Sequence, residues 1–208
     1  MQLTKNRILI GIGLLAAVLV LSRKQITSAV ALAFAKALPD GGGYEMNGSG
    51  VPIEIVHKGT RILPKGARTY CSGFTFATAM TTAERLGLLK DKTVEQIKRF
   101  QKEWYGGAGD PEKQQGPAMR NLGVGDNVPL EQAKPGDFLQ LWRVGGSGHS
   151  VVFTGWLMDP SRPGVLVGFS YRSSQPRTDG IGNSQERFSD AGGTVLRNRI
   201  YFSRLRSA

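Results

Sequence analysis

The chain is poor in the residues that staple or metallate small folds. It has one cysteine and two histidines in 208 residues, which excludes an intramolecular disulfide framework and leaves few ligands for a structural metal. Neither His-Glu-x-x-His nor a paired Cys-x-x-Cys occurs, and the Gly-x-Ser-x-Gly elbow of serine hydrolases is missing as well. Acidic residues are also scarce, 16 against 27 Lys and Arg, for a net charge of +11. Residues 1–37 hold Lys5, Arg7, Arg23, Lys24 and Lys36 and no acid at all. A surface of this sign favours anionic partners such as nucleic acid, a membrane surface or bacterial cell wall. The basic residues are scattered and no zinc finger or RNA-binding aromatic signature is present, so nucleic acid is not the expected partner. What the chain does have is 40% hydrophobic residues and 28 glycines without a triplet period. That composition excludes disorder and collagen and predicts one compact domain with many turns.

At the N-terminus, Lys5 and Arg7 precede Ile8 to Leu21, an uncharged run of 14 residues rich in Leu, Ile, Val and Ala. The order of a basic and then an apolar region is that of a secretory signal. As a helix the run would extend about 21 Å, short of a hydrocarbon core of ~30 Å. The nearest small-residue triplets, Ala33-Phe34-Ala35 and Ala35-Lys36-Ala37, lie well beyond it, so an uncleaved anchor and a cleaved signal both remain open. Gly11-Ile12-Gly13-Leu14-Leu15-Ala16 fits the dinucleotide-binding spacing but has no preceding strand and no βαβ unit around it. Leu38 to Pro52, dense in Gly and Pro, reads as a linker. The expected division is thus signal or anchor over 1–37, linker over 38–52, and a folded domain over 53–208, starting close to Val51.

Within that domain, Val51 to Val56 alternates as a short strand, and Tyr70 to Leu89 reads as an apolar helix. Thr93-Val94-Glu95-Gln96 forms a capping box for a second helix, with Val94, Ile97, Phe100 and Trp104 on one face. Pro117 to Leu122, stopped by Gly123, suggests a third. The period then changes to strands at Asp137–Arg143, His149–Leu157, Gly164–Arg172 and Thr194–Arg204. Helices first and a series of strands afterwards is an α+β order with a mostly antiparallel sheet.

Two positions concentrate the chemistry. Tyr70-Cys71-Ser72-Gly73-Phe74 sets the lone cysteine in the first turn of a helix, where free N–H groups and the dipole favour a thiolate and could hold an oxyanion. Gly73 would leave room there for a substrate backbone. Gly146-Ser147-Gly148-His149-Ser150 sets a histidine at the start of an apolar strand. Read singly, each residue has a bland alternative: a buried inert thiol, a structural imidazole. The second histidine, His57, beside Lys58 and Gly59, is expected as a solvated loop residue. Trp104, Tyr105, Trp142 and Trp156 are expected in the core or lining a cleft.

Taken together, Cys71-Ser72-Gly73-Phe74, Lys134-Pro135-Gly136-Asp137-Phe138 and Gly148-His149 with its apolar strand resemble the NlpC-type and CHAP-type cell-wall cysteine peptidases and amidases of the papain-like superfamily. The resemblance covers about residues 60–175. It implies a papain-like domain in which Cys71 is the nucleophile and His149 the general base, with substrate contacts around Tyr70, Ser72 and Gly73. Tyr70 stands where many members have Asp. The polar residue that orients the histidine would fall on the next strand, Val165 to Gln175; Gln175 is the first candidate, because its carbonyl can accept from an imidazole N–H, and Ser173 and Ser170 are the alternatives. Arg172 and Arg177 flank it, and Arg172 is expected to bind a substrate carboxylate. The resemblance implies no metal or organic cofactor, peptidoglycan stem peptides as substrate, a monomer, and an exported location in the periplasm or cell envelope, with inner-membrane attachment through residues 8–21. A non-catalytic wall-binding module of the same fold and an acyltransferase that passes the thioester to an amine are the competing expectations.

Overall fold

The computed structural model describes residues 27–207; the apolar run 8–21 lies outside them. Residues 27–37 form a helix, α1. The other helices are α2 (Cys71–Arg85), α3 (Val94–Trp104) and α4 (Gln115–Leu122). The strands are β1 (Gly41–Gly42), β2 (Ile55–His57), β3 (Thr60–Leu63), β4 (Gly125–Val128), β5 (Phe138–Arg143), β6 (Gly148–Met158), β7 (Leu166–Gln175), β8 (Gly180–Arg187) and β9 (Val195–Leu205). Seven of them make one antiparallel sheet in the order β1-β8-β7-β6-β5-β9-β4, and β2 and β3 form a separate hairpin. The chain is therefore α+β with an antiparallel sheet.

Alternation along the strands makes two cores. Phe138, Val152 and Ile181 face the helices and pack with Phe74, Phe76, Met80, Ile97, Phe100 and Trp104. Leu139, Leu141, Val151, Phe153, Phe169, Tyr171 and Phe202 point to the other face. There the cover is the sheet itself with Phe188 and Ala191. Register shifts between Phe153 and Gly155 and between Leu141 and Arg143 mark bulges, which bend strands and let a sheet close over its own face.

The helices follow local rules. Thr93 accepts from the Gln96 N–H while the Gln96 side chain accepts from the Thr93 N–H, the reciprocal box that starts α3. Gly123, left-handed at φ 73°, ends α4.

The N-terminal division differs from expectation. Ala31, Ala35 and Leu38 belong to the helix-side core, so α1 is part of the domain. The segment read as a linker is built in too: Gly41 and Gly42 pair with Ile181 and Gly180, and Val51 is fully buried. Its glycines supply positive φ at 41, 42 and 43, the left-handed backbone that residues with a side chain avoid, rather than slack. Arg172 explains why α1 stays. Its guanidinium donates to the carbonyls of Ala35 and Leu38, both at 2.7 Å, and to Asp40 at 2.6 Å, so one cation satisfies carbonyls at the helix C-terminus.

Asp137, fully buried in the Lys-Pro-Gly-Asp-Phe segment, ties three elements together. It accepts from Ser28 of α1 at 2.7 Å, the Lys134 N–H at 2.8 Å, and Arg204 of β9 through Nε and Nη2, both at 2.6 Å. This segment is a structural knot at the entry to β5.

Candidate active site

The position of Cys71 is fixed from behind. Thr75, one turn on in α2, donates to the Cys71 carbonyl at 2.9 Å, and Trp104 of α3 donates to the Thr75 hydroxyl at 3.1 Å. Trp104 is fully buried, so the aromatic core holds the first turn of α2 rigid. Tyr70, the N-cap residue, supplies no capping side-chain oxygen, which leaves the first-turn N–H groups to serve other acceptors.

The sheet opens to receive that turn. The β6–β7 ladder is last paired at Val152 and Arg172. β6 nevertheless continues to Gly148 beside β5, and β7 to Gln175 beside β8. Into this opening comes the entry to α2. Thr69 shares a hydrogen bond with Ser174 at 2.8 Å, and the Ser150 backbone lowers the Cys71 thiol. Ser173 closes the far side by donating to the Ser150 carbonyl at 2.6 Å.

Cys71 and His149 meet here. Burial pushes the thiol up, but the His149 charge, hydrogen bonds from His149 and the Ser150 backbone, and the Ser72 hydroxyl at 3.9 Å outweigh it and bring the thiol from 9.0 down to about 7. A thiol so placed is about half ionised at neutral pH, which is the form that attacks carbonyl carbon. Cys71 remains partly exposed while His149 is 5% exposed.

The other expected site residues are placed as follows. Ser72 is partly exposed beside the sulfur. Tyr70 stacks edge-on with Tyr105 at 5.8 Å and donates to the Gly48 carbonyl at 3.3 Å. Gly73 is buried, and a Cβ there would lie 2.2 Å from the Gly50 carbonyl group; the space expected for a substrate backbone is taken by the chain's own 43–51 strap. Gln175 sits at the strand end facing the opening, but its Nε2 donates to Thr178 at 2.6 Å and its Oε1 has no partner. Ser170 bonds with Thr154 at 2.9 Å and the Gly155 carbonyl at 3.2 Å, further along the strands. Arg172 is 4% exposed and spent on α1, so it does not present a fork to substrate; Arg177 is exposed. His57 is not solvated either. It is 5% exposed, with Nε2 at 2.8 Å from the Lys92 carbonyl.

Residues that sequence reasoning did not single out surround the pair. Tyr171 of β7 meets the His149 ring edge-to-face at 5.6 Å and donates to Glu186 of β8 at 2.9 Å. Arg143, the last residue of β5, holds Glu186 through two bonds of 2.7 and 2.6 Å. Tyr44 feels the charges of both Cys71 and Arg143. Burial raises the phenols of Tyr44, Tyr70, Tyr105 and Tyr171, so they stay neutral near pH 7. Tyr171 shares the face of Gln175 by alternation and was legible to that extent; Glu186 lies in a segment whose sequence carries no strand pattern.

Among the described residues no group of three or more His, Cys, Asp or Glu side chains gathers as a metal site would require, and no helix is long and apolar enough to cross a membrane. Comparison with protein-family models, with curated proteins and with solved structures found no match to this chain.

Proposed function

We propose that this chain is a thiol-dependent hydrolase of the papain-like type that cleaves an amide bond in the peptide part of bacterial peptidoglycan. The observation that carries the reading is the placement of a partly exposed thiol at the start of α2 beside the buried imidazole of His149. Cys71 opens α2 and His149 lies at the start of β6, which supports the roles of nucleophile and base that the resemblance implies. In the proposed course, the Cys71 thiolate adds to the amide carbonyl and the first-turn N–H groups of α2 hold the oxyanion. His149 gives its proton to the leaving amine. Water, deprotonated by His149, then hydrolyses the Cys71 thioester and restores the thiol.

The substrate class rests on the resemblance and on charge. A net charge of +11 suits an anionic wall polymer. The basic and apolar pattern of residues 5–21 supports export, with the run 8–21 as signal or inner-membrane attachment.

The test is digestion of peptidoglycan fragments by the full chain, read by mass spectrometry. New amine and carboxyl ends that vanish in Cys71→Ser support the reading. Binding to intact wall without cleavage would point to the non-catalytic module instead. A product that incorporates an added amine in place of water would mark an acyltransferase.

A further inference from the structure

Beside the Cys71–His149 pair lies a second pair of opposite charges for which the thioester chemistry has no use. Arg143 on β5 and Glu186 on β8 are separated in the sheet by the two strands that carry His149 and Tyr171, yet they meet in a two-pronged ion pair with side chains 25% and 15% exposed. Tyr171 donates to the same carboxylate and sets its ring against His149. The His149 Nε2 is buried without a hydrogen-bond partner. Among the described residues no conventional acceptor therefore orients the imidazole, and the group that packs on it is a tyrosine fixed by Glu186.

Resting on the reading of Cys71 and His149 as the reacting pair, we propose that Arg143 and Glu186 are its positioning residues: Glu186 fixes Tyr171 against His149, and the two opposite charges together set the pH window in which thiolate and imidazolium coexist. The charges alternate. Arg143 acts on Cys71 as well as on Glu186, and His149 acts on Glu186 as well as on Cys71. Each of the two acids thus has Arg143 and His149 as neighbours. Among the described residues, the other titratable groups facing the pair are phenols, Tyr44 in the segment 43–51, Tyr70 at the cap of α2, Tyr105 after α3 and Tyr171 on β7, all neutral in the working range because burial raises them.

The signs follow from charge. Glu186→Gln removes a negative charge, which makes the thiolate easier to form, so the Cys71 profile moves to lower pH. Arg143→Gln removes a positive charge and moves it to higher pH. Each shift is expected at about one unit for a close, partly buried neighbour. In the double variant the two effects cancel.

The experiment measures the pH dependence of iodoacetamide alkylation at Cys71 in the full chain. Opposite displacements in the two single variants, with the double variant within about half a unit of the parent, support the proposal. Displacements of the same sign, or a loss of rate with an unmoved profile, overturn it. Should a single variant fail to fold for want of its partner, the double variant carries no unpaired charge and Arg143→Lys keeps the charge; a window displaced by more than about one unit in either contradicts the proposal. A parent profile indifferent to His149→Ala would instead sink the reading of the reacting pair itself.

Discussion

His149 and Gln175 stand at the open ends of neighbouring strands, and Nε2 of one and Oε1 of the other are both buried and both without a hydrogen-bond partner. Donor and acceptor are chemically complementary, but the Gln175 amide is turned towards Thr178. In this arrangement it does not hold the imidazole. Gln175→Ala is therefore expected to leave the pH profile of Cys71 alkylation within about half a unit of the parent. A displacement of a full unit would show that the Gln175 carbonyl swings onto the ring.

Gly73 tests the close approach of the 43–51 strap to the nucleophile helix. A methyl group there meets the carbonyl carbon and oxygen of Gly50 at 2.2 Å, backbone that has no rotamer by which to retreat. Gly73→Ala should cost about 1–3 kcal/mol by overpacking, measured by denaturant unfolding. Ser72→Ala, one residue earlier and partly exposed, should change stability by less than about 0.5 kcal/mol.

Arg172 tests the anchoring of α1. Arg172→Gln leaves the Ala35 and Leu38 carbonyls without their charged donor, an expected loss of about 3 kcal/mol with faster proteolysis around residues 38–50. The Michaelis constant for an acidic stem peptide should not change. A selective rise in that constant with stability intact would restore Arg172 as a carboxylate-binding residue. Arg177→Gln, an exposed neighbour, is the control.

These cases show where the sequence was legible. Capping residues and helical periodicity found α2, α3 and α4 because the deciding contacts are local, as with Thr93 and Gln96. The long strands β5, β6, β7 and β9 were legible because one face of each is apolar. By contrast β8, Gly-Ile-Gly-Asn-Ser-Gln-Glu-Arg, takes its place from pairing with β7, not from its own pattern, and Glu186 was hidden with it. Arg172 reads as a carboxylate-binding residue because nothing in its neighbourhood shows that the Ala35 and Leu38 carbonyls, more than 130 residues away, consume it. Cys71 and His149 were found because a thiol at a helix start and an imidazole at a strand start are local signals, even though their meeting depends on the opened β6–β7 ladder.

The Arg143–Glu186 pair predicts an acid dependence of stability. Burial alone would raise the Glu186 carboxyl, but the Arg143 bonds and charge, Tyr171 and His149 together hold it below its ordinary 4.5. A carboxylate depressed in the folded state contributes stability that is fully present above the unfolded value and is lost as pH falls through the folded one. Unfolding free energy should therefore decline below about pH 4.5, and Glu186→Gln should flatten that part of the curve. An equally steep decline in the variant would assign the acid sensitivity to other carboxylates.

The most direct test of the account is the titration of the Cys71 thiolate by its ultraviolet absorbance, in the parent and in His149→Ala. The account predicts a midpoint of about 7 in the parent. In the variant the His149 contributions are gone while burial of the sulfur and the Ser150 and Ser72 hydrogen bonds persist, so the midpoint should rise, with a loss of alkylation rate at neutral pH. A parent midpoint at or above 9.0, or one that does not move when His149 is removed, would contradict the claim that these two residues form a reacting pair.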